Sequence, residues 1–179
     1  MGNQQSEAKK LSLEDGLEEA TKIVTDHANQ RKKIMFIGNG GSASIASHQS
    51  VDYWKNGGMR AIAFNDVSLL TCIGNDYGYP FVFEKPIEMF ADQDDVLIAI
   101  SSSGKSDNII NGVKMAKKMH CPAITMSGFK TDNPLRSLGD INFYVPAPTG
   151  AYGYVEIAHL TLCHCFIDII IDRELFRKK

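Results

Sequence analysis

His48 and Asp52 stand four residues apart, and Glu156, His159 and His164 recur in one apolar stretch near the other end of the chain. Positions i and i+4 of a helix share a face. His48 and Asp52 can therefore share a proton or bind a divalent metal; the plainer alternative is an ion pair on a solvated face. Glu156 lies in "AYGYVEIAH", among aromatics and glycine, and a carboxylate buried there needs a partner. His48, Asp52, Glu156 and His164 together make a donor set suited to zinc or another first-row metal. Glu156 and His164 are eight residues apart, about 12 Å along a helix. One ion joins them only if both side chains lean along the axis, or if they come from different subunits. His159 reads as a core histidine or as support for the site. His27 and His120, in polar contexts, read as surface residues.

Two loops look built for a ligand. Gly38-Asn39-Gly40-Gly41-Ser42-Ala43 fits the G-x-G-x-x-G/A turn of a dinucleotide fold, and Asp66 stands near the end of the next strand, where such a fold keeps a ribose-binding acid. Against that reading, the following helix carries Ser44, Ser47, His48, Gln49, Ser50 and Asp52. The second loop, "AISSSGKSDN", ends like a P-loop at Gly104-Lys105-Ser106. The glycine that motif requires five residues earlier is Ala99, inside a strand, and the loop is too short to wrap a triphosphate. What remains is the hydroxyls of Ser101, Ser102, Ser103 and Ser106 beside the N–H groups that open a helix, a cradle for one phosphate. The competing reading is a serine-rich turn that only caps the helix. Four serines in six residues exceed what a cap requires.

The elements that must position these residues alternate between strand and helix. A helix is expected over about 6–30, with Ser12 suiting a helix start or a join. Strands follow at "IMFIG", 60–65, 95–101, 122–128 and 141–146. Helices are expected at 42–55 and 106–119, turns and short helices over 66–90, and a long apolar helix at 152–174. Continuous apolar strands alternating with helices predict an α/β fold, with a parallel sheet covered on both faces. Ligands of such sheets bind beyond the carboxyl ends of the strands, where 38–42 and 101–106 fall. The apolar surface of the first and last helices exceeds what one small domain covers, so a homo-oligomer is expected.

Composition narrows the classes. The 179 residues suit one domain, and 44% hydrophobic and 22% charged residues are ordinary for a globular protein. A net charge of −2 gives no electrostatic case for nucleic acid or an anionic membrane. No unbroken apolar run of 18 residues appears, so no membrane span is expected. The polar start "MGNQQSEAKK" lacks a signal core, and its Met1-Gly2…Ser6 match to a myristoylation pattern carries little weight. Cys72, Cys121, Cys163 and Cys165 form no C-x-x-C pair; reduced thiols and a cytoplasmic protein are expected. Cys163 and Cys165 flank His164, but adjacent helical side chains diverge by about 100°. They read as small core residues.

Taken together, "GNGGSASIASH", "CIGNDYGYPFVFEKPIE", "DVLIAISSSGKSDNIINGVKMAKK" and "VEIAHLTLCH" resemble the phosphoheptose isomerases, in order and spacing, over roughly residues 10–172. The resemblance implies a single SIS domain spanning 1–179, a flavodoxin-like three-layer sandwich with a five-stranded parallel sheet. It also implies a homotetramer with active sites at subunit interfaces. The implied reaction converts sedoheptulose 7-phosphate to D-glycero-D-manno-heptose 7-phosphate for lipopolysaccharide or capsule heptose. Carried over by position, Asp52 and His164 are the catalytic pair. Asn39, Gly40, Gly41, Ser42, Asp76, Ser101, Ser102, Ser103, Ser106 and Glu156 meet the substrate. His48, Asp52, Glu156 and His164 hold one zinc per subunit. Three residues depart from the family pattern: Asp52 for Glu, Glu156 for Gln and Gly153 for Asp. These changes either compensate for one another or mark another sugar phosphate. Some relatives are non-catalytic tetramers that bind a replication initiator; they lack the catalytic carboxylate and histidine. A sugar-phosphate-sensing regulator is a third class.

Overall fold

The computed structural model describes residues 10–173. Helix α1 (Leu13–Asn29) begins later than the expected residue 6: Ser12 caps it, its hydroxyl accepting from Asp15 N–H at 3.0 Å. The start of that expected helix (6–9) and the Met1-Gly2…Ser6 pattern lie outside the described residues. Strand β1 (Lys33–Gly38) leads into α2 (Gly41–Lys55), then β2 (Arg60–Ala63), α3 (Val67–Asp76), a short 3-10 turn (Tyr79–Phe81) and α4 (Glu84–Phe90). The second half runs β3 (Val96–Ser101), α5 (Asp107–Lys118), β4 (Ala123–Gly128), a 3-10 turn (Pro134–Ser137), β5 (Ile141–Val145) and α6 (Tyr152–Asp172). All five strands are parallel, in the order β2-β1-β3-β4-β5.

Burial on both sheet faces explains the unbroken apolar runs of the central strands β1, β3 and β4, whereas the edge strands β2 and β5 are only partly buried. Alternate residues of one strand serve opposite cores. Ile34 and Phe36 pack with α1, α2 and α6, whereas Met35 and Ile37 pack with α4 and α5. The order of strands reverses between β1 and β3: β1 leads outward to β2 and β3 to β4. A crevice must open there at the carboxyl ends, and both candidate ligand loops border it.

Helix α6 departs from one expectation. It is long and apolar enough, by length and composition, to cross a membrane, although no unbroken apolar run marks it. Its stripe Val155, His159, Cys163, Phe166, Ile167 and Ile170 is buried, at the spacing of one helical face. With those side chains in the core and Glu156, His164 and Asp168 along its length, α6 is a core helix.

Candidate active site

Helix α2 buries Ser42, Ile45, Ala46, Gln49, Ser50 and Tyr53, a stripe at helical period that presses on the sheet and α6. His48 and Asp52 stand beside it and face α6. Asp52 Oδ2 lies 3.3 Å from His48 Nε2 and 3.7 Å from His164 Nδ1, and the two imidazole centroids are 5.4 Å apart. Asn56 donates to the other oxygen, Oδ1, at 3.1 Å. The α2–α6 seam is pinned by Tyr53, whose hydroxyl donates to Cys163 O at 3.3 Å. Gln49 adds a second pin, its amide nitrogen 3.1 Å from His164 Nε2.

The trio passes a geometric test for a metal. One ligand atom from each of His48, Asp52 and His164 lies within 4.8 Å of the others. Ligands of a tetrahedral zinc with bonds of about 2.1 Å sit roughly 3.4 Å apart, so small movements close the set. Two imidazoles and a carboxylate fit zinc or a neighbouring first-row ion. Glu156, expected as a fourth ligand, is outside this group. The reason is the helix rise that separates it from His164. Glu156 packs instead over the start of α2: a Cβ on Gly41 would stand 2.5 Å from its carboxyl carbon and both oxygens. A side chain at position 41 would make the Glu156 carboxylate move aside; where it lies, the carboxylate gains the positive end of the α2 dipole.

The other expected residues divide between the crevice and the surface. Asn39 and Asn108 exchange amide hydrogen bonds, each 2.9 Å, across the crevice between β1 and α5. Tyr79 O–H donates to Asn39 Oδ1 at 3.2 Å. Gly40 has φ +54, which favours glycine, and Ser42 is buried. Asp76 is exposed at the end of α3, and its carboxylate accepts from Asn75 at 2.8 Å; no described contact brings it to the trio or the serines. Ser106 sits at the N-cap of α5 but its hydroxyl makes no cap bond; it lies 3.5 Å from Ser101 Oγ. Ser101 and Ser103 accept from Gly104 N–H and Lys105 N–H at 3.2 and 3.3 Å. Ser102 Oγ is buried without a partner. The loop is thus not consumed by capping. Asp66 caps α3, accepting from Leu69 N–H at 3.0 Å; it is engaged locally, against the dinucleotide reading.

A cavity of about 380 Å³ borders the same crevice, lined by Asn39, Gly40, Ser44, Ser47, Asn65 and Tyr79 among others. It includes none of the trio and none of the four serines. The trio lies instead at an open surface, His48 and His164 side chains being 54% and 38% exposed. His159 is fully buried and its Nε2 is 3.3 Å from Ser127 O. Burial pushes it down to about 4, against the smaller raising effect of that bond. It is a neutral core histidine. Cys163 is buried and its thiol pushed far up by burial; Cys165 is half-buried, and neither belongs to the trio. Sequence reasoning missed Gln49, Asn108 and Tyr79. Gln49 became recognisable only once the buried stripe of α2 was known.

Comparison with known proteins identifies the family to which this fold belongs. A SIS-domain family model matches residues 3–128. The phosphoheptose isomerase of Aliarcobacter butzleri is 36% identical over 182 aligned positions, spanning 98% of this chain and 94% of that protein. The structure of phosphoheptose isomerase from Neisseria gonorrhoeae superposes with a TM-score of 0.79 at 31% identity, covering 87% of this chain and 85% of that one. That of Francisella tularensis gives 0.80 at 26% identity, over 90% and 87%. The chain belongs to the phosphoheptose isomerase family of SIS-domain enzymes.

Proposed function

We propose that the protein isomerises a heptose phosphate, converting sedoheptulose 7-phosphate to D-glycero-D-manno-heptose 7-phosphate, a step toward lipopolysaccharide or capsule heptose. The observation that carries the reading is Asp52 Oδ2 held between two imidazoles on the α2–α6 seam. The Asp52 carboxylate takes a proton from C1 of the ketose while His164 protonates the carbonyl oxygen at C2, giving an enediol. Return of the proton to C2 and loss of the O1 proton give the aldose. His48, Asp52 and His164 would hold a zinc ion, which when bound supplies electrophilic stabilisation of oxygen charge; a carboxylate bound tightly to zinc is a poor base, and in that case Glu156 is the next candidate for the base. Ser101, Ser102, Ser103 and Ser106 receive the phosphate with the α5 N-terminus. Asn39, Gly40, Gly41 and Ser42 border the sugar chain, and the Glu156 carboxylate faces its hydroxyls. Asp76 holds a substrate hydroxyl or orders the site.

Shallow placement of the trio supports a site completed by a second copy, as in a homotetramer. Tyr154 and Ile157 on α6 are 76% and 67% exposed, apolar surface that a partner would cover.

Turnover of purified protein across C5 to C7 ketose phosphates tests the reading. Conversion fastest with sedoheptulose 7-phosphate is expected. Preference for a pentose phosphate would replace the substrate, and no turnover of any would favour a non-catalytic binding role.

A further inference from the structure

Gln49 is a polar side chain in the middle of the buried stripe of α2, and it is fully shielded from solvent. Its amide nitrogen lies 3.1 Å from His164 Nε2. Its amide oxygen is buried with no partner. Packing alone would be better served by leucine or methionine, which leave no polar atom unsatisfied. The other nitrogen of the same ring, Nδ1, faces Asp52 Oδ2 at 3.7 Å.

The two ends of a glutamine amide have nearly the same shape and opposite hydrogen-bonding sense. With its nitrogen toward the ring, Gln49 donates to a bare Nε2, and neutral His164 carries its proton on Nδ1. Turned over, its oxygen accepts from Nε2–H, and Nδ1 carries the lone pair. Either way Nε2 is occupied and Nδ1 faces the carboxylate. Without the amide, the ring can flip about its terminal torsion, which is broad and roughly two-fold, and exchange the two nitrogens.

We infer that Gln49 is a positioning residue that ties up Nε2 of His164 and makes Nδ1 its working nitrogen: the one that handles the substrate proton in a metal-free site, or the one a divalent ion would meet, but not both at once. What that nitrogen does rests on the isomerase reading; which nitrogen is free does not.

The test uses full-length protein labelled with ¹⁵N-histidine, followed by long-range ¹H–¹⁵N spectra before and during zinc addition. In the native protein zinc is expected to shift Nδ1 of His164 and leave Nε2 protonated. Gln49→Leu should let zinc reach either nitrogen and weaken its binding about tenfold or more, read by competition with a chromophoric chelator. Gln49→Glu keeps an oxygen acceptor and should recover most of that loss. A zinc shift at Nε2 in the native protein overturns the inference. So does a Gln49→Leu variant with unchanged His164 signals and zinc affinity within twofold. Should Gln49→Leu not fold, Gln49→Met supplies the contrast with a more adaptable side chain. If zinc does not bind, the metal-free spectra decide: one tautomer in native protein and a mixture in the variant supports the inference, and identical spectra overturn it. Loss of turnover with the Nδ1 pattern intact sinks the isomerase reading alone; turnover with zinc at Nε2 sinks only the role of Gln49.

Discussion

Asp52 is held through both carboxylate oxygens: Asn56 on Oδ1, and His48 and His164 on Oδ2. Glu156 has a different setting, against the glycine that opens α2. Two carboxylates that a linear reading groups into one metal site are therefore separate tools. Asp52→Asn and His164→Gln are each expected to lower kcat by about 100-fold or more, the scale of a positioned acid or base. Glu156→Gln, by contrast, should leave kcat within about tenfold and act mainly on KM. The reverse pattern in steady-state kinetics would move the base role to Glu156. His48 and Asp52 were legible because four-residue spacing is set by the helix itself. Gln49 was not, because a glutamine within a serine-rich helix looks solvated until the direction of the buried stripe is known.

At the scale of elements, turns and helix starts do the positioning. The serine turn keeps its Ser106 hydroxyl out of the cap, and Asn108 Oδ1 accepts from Ile109 N–H at 3.0 Å instead. Ser106→Ala should cost less than about 0.5 kcal/mol of stability, below the usual loss of a true cap. It should still weaken affinity for inorganic phosphate, measured by competition against turnover. Equal phosphate affinity in native and variant protein would reduce the turn to a structural one. The Asn39–Asn108 pair joins β1 to α5 where the strand order reverses. It was illegible because its members lie 69 residues apart. Strand positions, on the other hand, were readable to within a residue or two, since each is a short apolar run ending at glycine, serine or a polar turn.

For the whole molecule, the buried His159 links folding to pH. Its folded value is about 4, below the ordinary value of about 6.5 that it regains on unfolding. Between these values the unfolded chain binds the extra proton, so stability is full above about pH 6.5 and falls as pH drops toward 4. The loss is on the order of 3 kcal/mol for this one group. Urea unfolding at pH 7 and pH 4.5 should show a smaller acid loss in His159→Leu than in native protein; equal losses would remove His159 as the cause. Exposed apolar residues on α6 lead to a further expectation, a tetramer by light scattering, which a monomeric mass would refute.

Local physics written in the chain determined most of the architecture: apolar runs made strands, helical periods made amphipathic faces, and Ser12 and Asp66 capped the starts of α1 and α3. Together with the family motifs, it also marked His48, Asp52 and His164. Tertiary packing decided which of the marked residues meet. The packing of α6 against α2 brings His164 to Asp52, and the rise of α6 carries Glu156 away to Gly41. Spacing along one helix states which side chains share a face. Only the packing of two helices states which faces touch, and so why a glutamine in the core reaches a histidine at the site.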